Sequence, residues 1–520
     1  MSEVPPTIVH NLERGAGLFA DRTLLISGGR EVSYAEFAEL AEGAAARLAA
    51  EGLRPGDRLA VCLPGGLDIA VAIWACARGG YVFAGLPTTL TPGEQVALLA
   101  HAEPALVLAG AEFLPGLAAC GYRVRPAGDQ LTGQRLPWDP DLPRPEPDAV
   151  YALIYTSGTS GTPKAATVTH RAAMHVAGSY RRLLGLRAGD VTAICLPFSY
   201  VSGHISQLNP FLLAGGSAVV MPGFDAAEMV RALREHRVTV IDVVPAMFPL
   251  LLRHPEFSSA DLPWLRAAFF GGAPMPGATV AALRERLPGM KLHNVYGMTE
   301  TAGLLTALDD SELAARPGSA GRPVPGAVIR VVDERDDDAM EGELLARGPM
   351  VTGGYWRNTD ATAAAFRDGW LRTGDHTRID ADGYLYVLGR GDELINRGGA
   401  KIAPADIEHA LLAHPAVAEA AAFGVPDGLS GQAAAACVVL TPGAQAGAGE
   451  LRAWLRARLP VHARPRRLQI VAGLPRGRTG KIDKAALRSL IQAGRQAREV
   501  PPGPRAGPGP PRQSRKDDGA

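Results

Sequence analysis

The sequence predicts an α/β fold in two parts, a large N-terminal α/β domain followed by a small α+β unit. Three observations carry this. The chain has 520 residues, too many for one ordinary core. Short apolar strands alternate with helical patterns over about the first 320 residues. Beyond that point the segments shorten and turn signals multiply. Hydrophobic residues make up 47% and charged residues 20%, which is ordinary globular composition.

The elements follow in order. Ser33-Tyr-Ala-Glu36 reads as a capping box, with Phe37, Leu40, Ala44 and Leu48 at helical spacing and Gly52 as the stop. A strand is predicted over 58–63 and a helix over 69–77. Strands over 105–109, 218–221 and 238–244 and a helix over 226–236 continue the alternation. Asp382-Gly383 marks a hairpin between 377–380 and 384–388. From Pro404 a helix carrying Ile407 and Leu411 precedes strands near 418–423 and 434–440. Helices over about 450–458 and 484–492 close the unit. The change of texture puts the junction between Gly389 and Glu393. Residues 501–520 hold six prolines and four glycines, so the stretch from 499 to 520 is expected to be a disordered tail.

Charge and cysteine usage narrow the class. With 53 basic and 53 acidic residues there is no global field that argues for nucleic acid or an anionic membrane as partner. Cys62, Cys76, Cys120, Cys195 and Cys437 form no CxxC or Cys/His cluster, so neither a disulfide framework nor a zinc site is expected. The opening Met1-Ser-Glu-Val-Pro-Pro lacks the charge and apolar pattern of a signal peptide. No apolar run approaches the roughly 20 residues needed to span a bilayer. A cytoplasmic location is the expectation.

The chemistry starts at one loop. The apolar strand Ala152-Leu-Ile-Tyr155 runs into Thr156, Ser157, Gly158, Thr159, Ser160, Gly161, Thr162, Pro163 and Lys164. Glycines let backbone N–H groups converge on phosphate oxygens, hydroxyls add donors, and the lysine supplies a compact cation. The spacing is not that of a Walker A loop, and the residues after Lys164 read as another strand rather than a helix. By itself the loop says that a polyphosphate binds. The plain alternative is a flexible Gly/Ser/Thr surface loop.

At this loop the chain resembles the AMP-forming adenylating enzymes, which comprise acyl-CoA synthetases, peptide-synthetase adenylation domains and luciferases. The family signature is Thr-Ser-Gly-Thr-Thr-Gly-x-Pro-Lys-Gly, and Ala165 stands here where glycine is usual. Further family motifs appear in the family's order over about residues 10–490. Gly271-Gly272-Ala273-Pro274 resembles the segment that packs against adenine. Tyr296-Gly297-Met298-Thr299-Glu300-Thr301 resembles the motif in which Tyr296 stacks on adenine, Thr299 binds phosphate and Glu300 holds Mg²⁺, with Asn294 among the nucleotide contacts just before it. Trp370 to Asp375 resembles the motif whose aspartate accepts from the ribose hydroxyls, and Arg390 contacts ribose or phosphate. Asp392 falls at the family hinge. Pro475 to Asp483 resembles the C-terminal motif, with Lys481 bridging the substrate carboxylate and the α-phosphate.

The resemblance, closest to an acyl-CoA synthetase, implies a large domain of layered sheets flanked by helices (1–391) that binds ATP and the acid. It also implies a small mobile α+β domain (392–498) that carries the catalytic lysine. A carboxylate attacks the α-phosphate of ATP, giving acyl-AMP and pyrophosphate, while Lys481, Lys164 and Mg²⁺ stabilise charge. The small domain then swings about Asp392 to admit a thiol beside Gly398 and Gly399. That thiol is CoA or, as the alternative, the phosphopantetheine of a separate acyl carrier protein. For the acid, Tyr200 stands at the family's pocket gate. Val201 stands where amino-acid-activating domains keep an aspartate and catechol-type aryl-acid ligases an asparagine. Valine pairs with neither an ammonium nor a hydroxyl, so a neutral, mainly apolar acid is expected, aliphatic or aromatic. His204 is read two ways, as pocket lining or as a satisfied core histidine. A catalytically inactive protein on the same fold is disfavoured by Lys164, Glu300, Asp375, Arg390 and Lys481 together.

Overall fold

The computed structural model describes residues 4–133, 144–156, 163–397, 400–427, 430–441, 443–476 and 482–492. The chain divides into two compact units, Met1–Gly391 and Asp392–Ala520. Among the described residues the strands form four sheets. Three belong to the first unit. A nine-stranded sheet has at its centre the parallel strands Ser217–Val220, Val191–Ile194, Val240–Asp242, Ala267–Gly271 and Lys291–Tyr296. A six-stranded sheet ends in the antiparallel pair Val150–Thr156 and Lys164–Thr169. A five-stranded antiparallel sheet contains Glu341–Arg347, Trp370–Ile379 and Leu385–Arg390.

Burial explains the apolar runs. In Ala267–Gly271, Ala267 and Phe269 pack into one core while Ala268 and Phe270 pack into another. The strand is therefore covered on both faces, as parallel strands are. The first core joins both large sheets through the helices Tyr34–Ala50, Leu67–Gly79 and His170–Leu183, with Trp74, Tyr151 and Tyr180 fully buried. Helices Ala226–Glu235 and Gly277–Arg286 cover the far side of the nine-stranded sheet. The layering is α/β, as the sequence predicts.

Two local expectations change. The Ser33 hydroxyl accepts from the Glu36 N–H at 3.1 Å, but the Glu36 carboxylate turns to Arg30 at 2.5 Å, so only one half of the capping box forms. The strand expected over 238–244 shrinks to Val240–Asp242. Val238 still bonds back to Leu233 of the preceding helix. Pro245, which has no N–H to give a ladder, opens a 3₁₀ turn at Pro245–Met247.

The second unit is α+β. Its long ladder pairs Val417–Asp427 with Gly431–Leu440. Ala420, Ala422, Ala434 and Val438 face the helices Pro404–Leu412 and Ala448–Arg456. Ala421, Phe423 and Ala435 face Lys484–Gln492. The period of two serves two cores.

Candidate active site

Three strand ends bring the predicted groups together. Thr156 and Lys164 lie directly opposite each other where their two strands meet, which fixes the base of the hydroxyl-rich loop. Ser157, Gly158, Thr159, Ser160 and Gly161 lie outside the described residues. Strands Ala267–Gly271 and Lys291–Tyr296 are parallel neighbours, with Gly271 paired to Val295. The segment Gly272–Ala273–Pro274 and the turn after Tyr296 therefore emerge side by side at the carboxyl ends of the sheet, where open α/β sheets bind ligands. Two glycines permit this approach. A Cβ on Gly271 would stand 2.4 Å from the Val295 carbonyl oxygen, and one on Gly297 2.5 Å from the backbone of Gly303. Asn294 donates through Nδ2 to the Ser319 carbonyl at 2.7 Å, which holds the strand against the following loop.

The five-stranded sheet supplies the second group. Asp375 and Arg390 are register partners, with Arg390 Nε 3.0 Å from Asp375 Oδ1. Arg390 Nη1 also donates to the Thr373 carbonyl at 2.7 Å. The Tyr296 hydroxyl donates to Asp375 Oδ2 at 2.5 Å. Burial first, then the Asp375 carboxylate, hold the Tyr296 phenol well above its ordinary pKa, so it donates as a neutral hydroxyl. One carboxylate thus links the Tyr296 motif to the Asp375 motif across two sheets.

Glu300 forms the third group. It sits in the 3₁₀ turn Thr299–Thr301 and is only 5% exposed, with Thr299 half-buried beside it. The Tyr355 hydroxyl donates to Glu300 Oε1 at 2.5 Å, and the Thr352 N–H donates to the Glu300 carbonyl at 2.9 Å. Lys164 Nζ lies 5.9 Å from the centre of the Tyr355 ring, within cation–π range. Among the described residues no three His, Cys, Asp or Glu side chains are grouped to hold a metal. A lone buried carboxylate suits Mg²⁺, which keeps most of its water and is held by one or two carboxylates plus substrate phosphates. A cage built wholly from protein groups does not exist among these residues.

The profile described as AMP-binding enzyme matches residues 12–356, and that described as AMP-binding enzyme C-terminal domain matches 406–481. The chain belongs to the AMP-binding enzyme family. It is 33% identical over 481 residues to a feruloyl-CoA synthase from Amycolatopsis, covering 91% of this chain and 97% of that protein. An anthranilate CoA ligase solved in complex with anthranoyl-AMP superposes with a TM-score of 0.86 at 25% identity, over 95% of this chain and 99% of that one. The o-succinylbenzoate coenzyme A synthetase of Bacillus subtilis, solved with ATP and a magnesium ion, gives 0.82 at 29% identity, over 93% and 99%.

In this AMP-binding enzyme the segment expected to line the acid pocket runs into a π-helix, Ser202–Leu208, which the residue pattern does not announce. Tyr200 and Val201 are half-buried just before it. Its packing against the Glu300 turn is direct, since a Cβ on Gly303 would stand 2.9 Å from Ser206 Oγ and 3.2 Å from Val201. His204 is 1% exposed and donates from Nδ1 to the Phe198 carbonyl at 3.0 Å, with its ring edge-on to Phe83 and Tyr151. Burial lowers its pKa to about 4. His204 is thus a buried, neutral histidine that anchors the segment carrying Tyr200 and Val201 through Nδ1, while its Nε2 finds no hydrogen-bond partner among the described residues, and both readings of it stand.

All five cysteines are unpaired, and burial pushes Cys62 and Cys195 up to about 12 and Cys437 to about 11. Asp392 opens the second unit in the short turn Gly391–Glu393. Gly398, Gly399 and Lys481 lie outside the described residues. Two groups escaped sequence reasoning. Tyr355 stands in the unremarkable Gly-Gly-Tyr-Trp. Asp242 is an acid inside the apolar run Val-Ile-Asp-Val-Val, which is a visible signal of a buried charge or a neutralised one.

Proposed function

We propose that this chain is an AMP-forming acid–CoA ligase that adenylates a neutral, mainly apolar carboxylic acid and then transfers the acyl group to CoA. The observation that carries this is the convergence of Lys164, Glu300 and the Asp375–Arg390–Tyr296 group within one unit. Those groups match the demands of a nucleotide. Asp375 and Arg390 offer an acceptor and a donor for ribose hydroxyls, and Tyr296 offers a ring for adenine. Lys164 opposes phosphate charge, and the Thr299 hydroxyl offers a donor to a phosphate oxygen. Glu300 would hold Mg²⁺, whose charge neutralises the triphosphate and the departing pyrophosphate. Lys481 from the second unit stabilises charge as the carboxylate oxygen attacks the α-phosphorus. By the family resemblance Asp392 takes the hinge role, and Gly398 and Gly399, outside the described residues, are the candidates for contact with the thiol.

Val201 and Tyr200 set the acid. An ammonium facing Val201 would lose its hydration without gaining a partner, which selects against α-amino acids. The named relatives carry aryl acids in their names (feruloyl, anthranilate and o-succinylbenzoate), which makes aryl acids the first to test, with aliphatic acids beside them. Their names as CoA ligases also favour CoA over a carrier protein.

ATP–pyrophosphate exchange across such a panel tests this reading. Exchange is expected with a subset of neutral acids, and Lys481→Ala should lower it about 100-fold or more, the scale of losing one fixed charge stabiliser. Exchange with no acid, or exchange that survives Lys481→Ala, overturns adenylation. Adding CoA and, separately, a phosphopantetheinylated carrier protein then identifies the acceptor.

A further inference from the structure

Tyr355 lies outside the motifs named above, yet it touches two of the groups they supply. Its place is set by backbone. Thr167 donates to the Gly354 carbonyl at 3.0 Å, Trp356 to the Ala165 carbonyl at 2.8 Å, and Thr352 to the Glu300 carbonyl at 2.9 Å. Tyr355 itself forms an antiparallel bridge with Ala166 and donates its N–H to Thr362 Oγ1 at 3.0 Å. The ring packs edge-on to Phe366, with centroids 5.9 Å apart. Packing therefore holds the ring without help from the hydroxyl. The hydroxyl is spent on Glu300 Oε1 and the ring face on Lys164.

A glutamate has three side-chain torsions to fix before its carboxylate can meet a cation in a set geometry. A donor on one oxygen removes most of that freedom and leaves the other oxygen open, the usual arrangement around ligating carboxylates. A phenol is suited to this place because it donates while neutral.

We propose that Tyr355 is a positioning residue for the metal–nucleotide complex: its hydroxyl holds Glu300 Oε1 and leaves Oε2 for the cation, while its ring steadies the Lys164 ammonium. The proposal rests on the reading of Glu300 as the magnesium carboxylate.

The test is binding to the full chain rather than turnover. Affinity for the non-hydrolysable α,β-methylene analogue of ATP is measured by calorimetry with and without Mg²⁺, and the gain due to magnesium is compared between variants. Tyr355→Phe keeps the ring and should leave the magnesium-free affinity within about twofold. It should cut the magnesium gain by about 10-fold, the scale on which second partners of metal ligands act. Glu300→Gln should remove the gain, and adding Tyr355→Phe to it should cost nothing more, because the two act as one unit. If the wild type shows no gain, or Glu300→Gln keeps it, the reading of Glu300 fails and takes the proposal with it. If Glu300→Gln loses the gain while Tyr355→Phe keeps it whole, or loses affinity equally with and without magnesium, the positioning role alone is overturned. Should a melting curve show that Tyr355→Phe does not fold, 3-fluorotyrosine placed at 355 tests the same hydroxyl. Its more acidic phenol must change the magnesium gain, and an unchanged gain overturns the proposal.

Discussion

The carboxyl of Asp242 ends the strand Val240–Asp242, beside Phe269 on the next strand and near Tyr180, whose ring packs on Phe269 at 5.0 Å. Burial raises its pKa well above the usual carboxylate value. The sign of the consequence follows from linkage. An acid whose folded pKa is raised binds its proton more tightly in the native state. Its contribution therefore favours folding at pH below about 4, the unfolded value, and is lost as pH rises toward the folded one. Asp242→Asn removes this dependence while keeping the shape. The variant should melt at a higher temperature than the parent at pH 8, with a smaller difference at pH 5. A melting temperature that falls equally at both pH values would mean that Asp242 is needed as a charged partner. Val201 teaches the opposite lesson at the same scale, since an apolar side chain where related enzymes keep a polar one is legible from sequence alone. Burial of an acid is only hinted at by its neighbours, because desolvation depends on what packs over it.

At the scale of elements, the end of the nine-stranded sheet away from the nucleotide groups is held by one acid. Asp190 is 2% exposed and accepts from Arg266 Nη2 at 2.8 Å and Nε at 3.0 Å, from the Arg187 N–H at 2.9 Å and from the Thr239 hydroxyl at 2.9 Å. It therefore ties together the entries of strands Val191–Ile194, Val240–Asp242 and Ala267–Gly271. Burial alone would raise its pKa, but these donors outweigh burial and hold it below the ordinary value. A depressed acid contributes stability above its unfolded pKa, about 3.9, which is lost as pH falls through the folded one. Asp190→Asn should cost about 2–3 kcal/mol near neutral pH in denaturant unfolding, less than a fully buried pair because Arg266 keeps some solvent contact. It should also flatten the acid limb of the stability curve and leave exchange activity per folded molecule unchanged. An unaltered acid limb would refute the assignment. The long elements and the adenylating motifs were legible because strand period and glycine spacing are local. The π-helix Ser202–Leu208 was not, since its extra residue per turn is imposed by packing against the Glu300 turn. The 352–356 strap was not either, since its hydrogen bonds run to residues 165, 167 and 300, far off in sequence.

At the scale of the whole molecule, each unit carries its own core, and the second is pinned by a half-buried cation. Lys484, three residues after Lys481, lies 2.9 Å from Glu408 and 3.3 Å from Glu393. Glu408 also accepts from the Ala422 N–H at 2.9 Å. Burial would lower the Lys484 pKa, but the two carboxylates more than offset it and the net shift is upward. On either side of residues 477–481, which lie outside the described residues, Arg476 forms a bridge with Ile482 and the Asp483 N–H donates to the Pro475 carbonyl at 2.8 Å. Lys484 therefore ties the chain just after Asp483 both to the ladder, through Glu408, and to Glu393, the residue that follows Asp392. Replacing it by methionine keeps the length but strands two carboxylates. The cost should be about 2 kcal/mol once the solvent contact of Glu393 is discounted. Hydrogen exchange locates that loss. Amides in Val417–Asp427 and Gly431–Leu440 should lose protection in Lys484→Met, while those of Ala267–Gly271 and Lys291–Tyr296 keep theirs. On the proposed role of Lys481 adenylation should fall in this variant, while nucleotide affinity, whose proposed contacts lie in the first unit, should stay near the parent value. Loss of protection in both units together would show that they unfold as one body, and nucleotide binding would then fall with it.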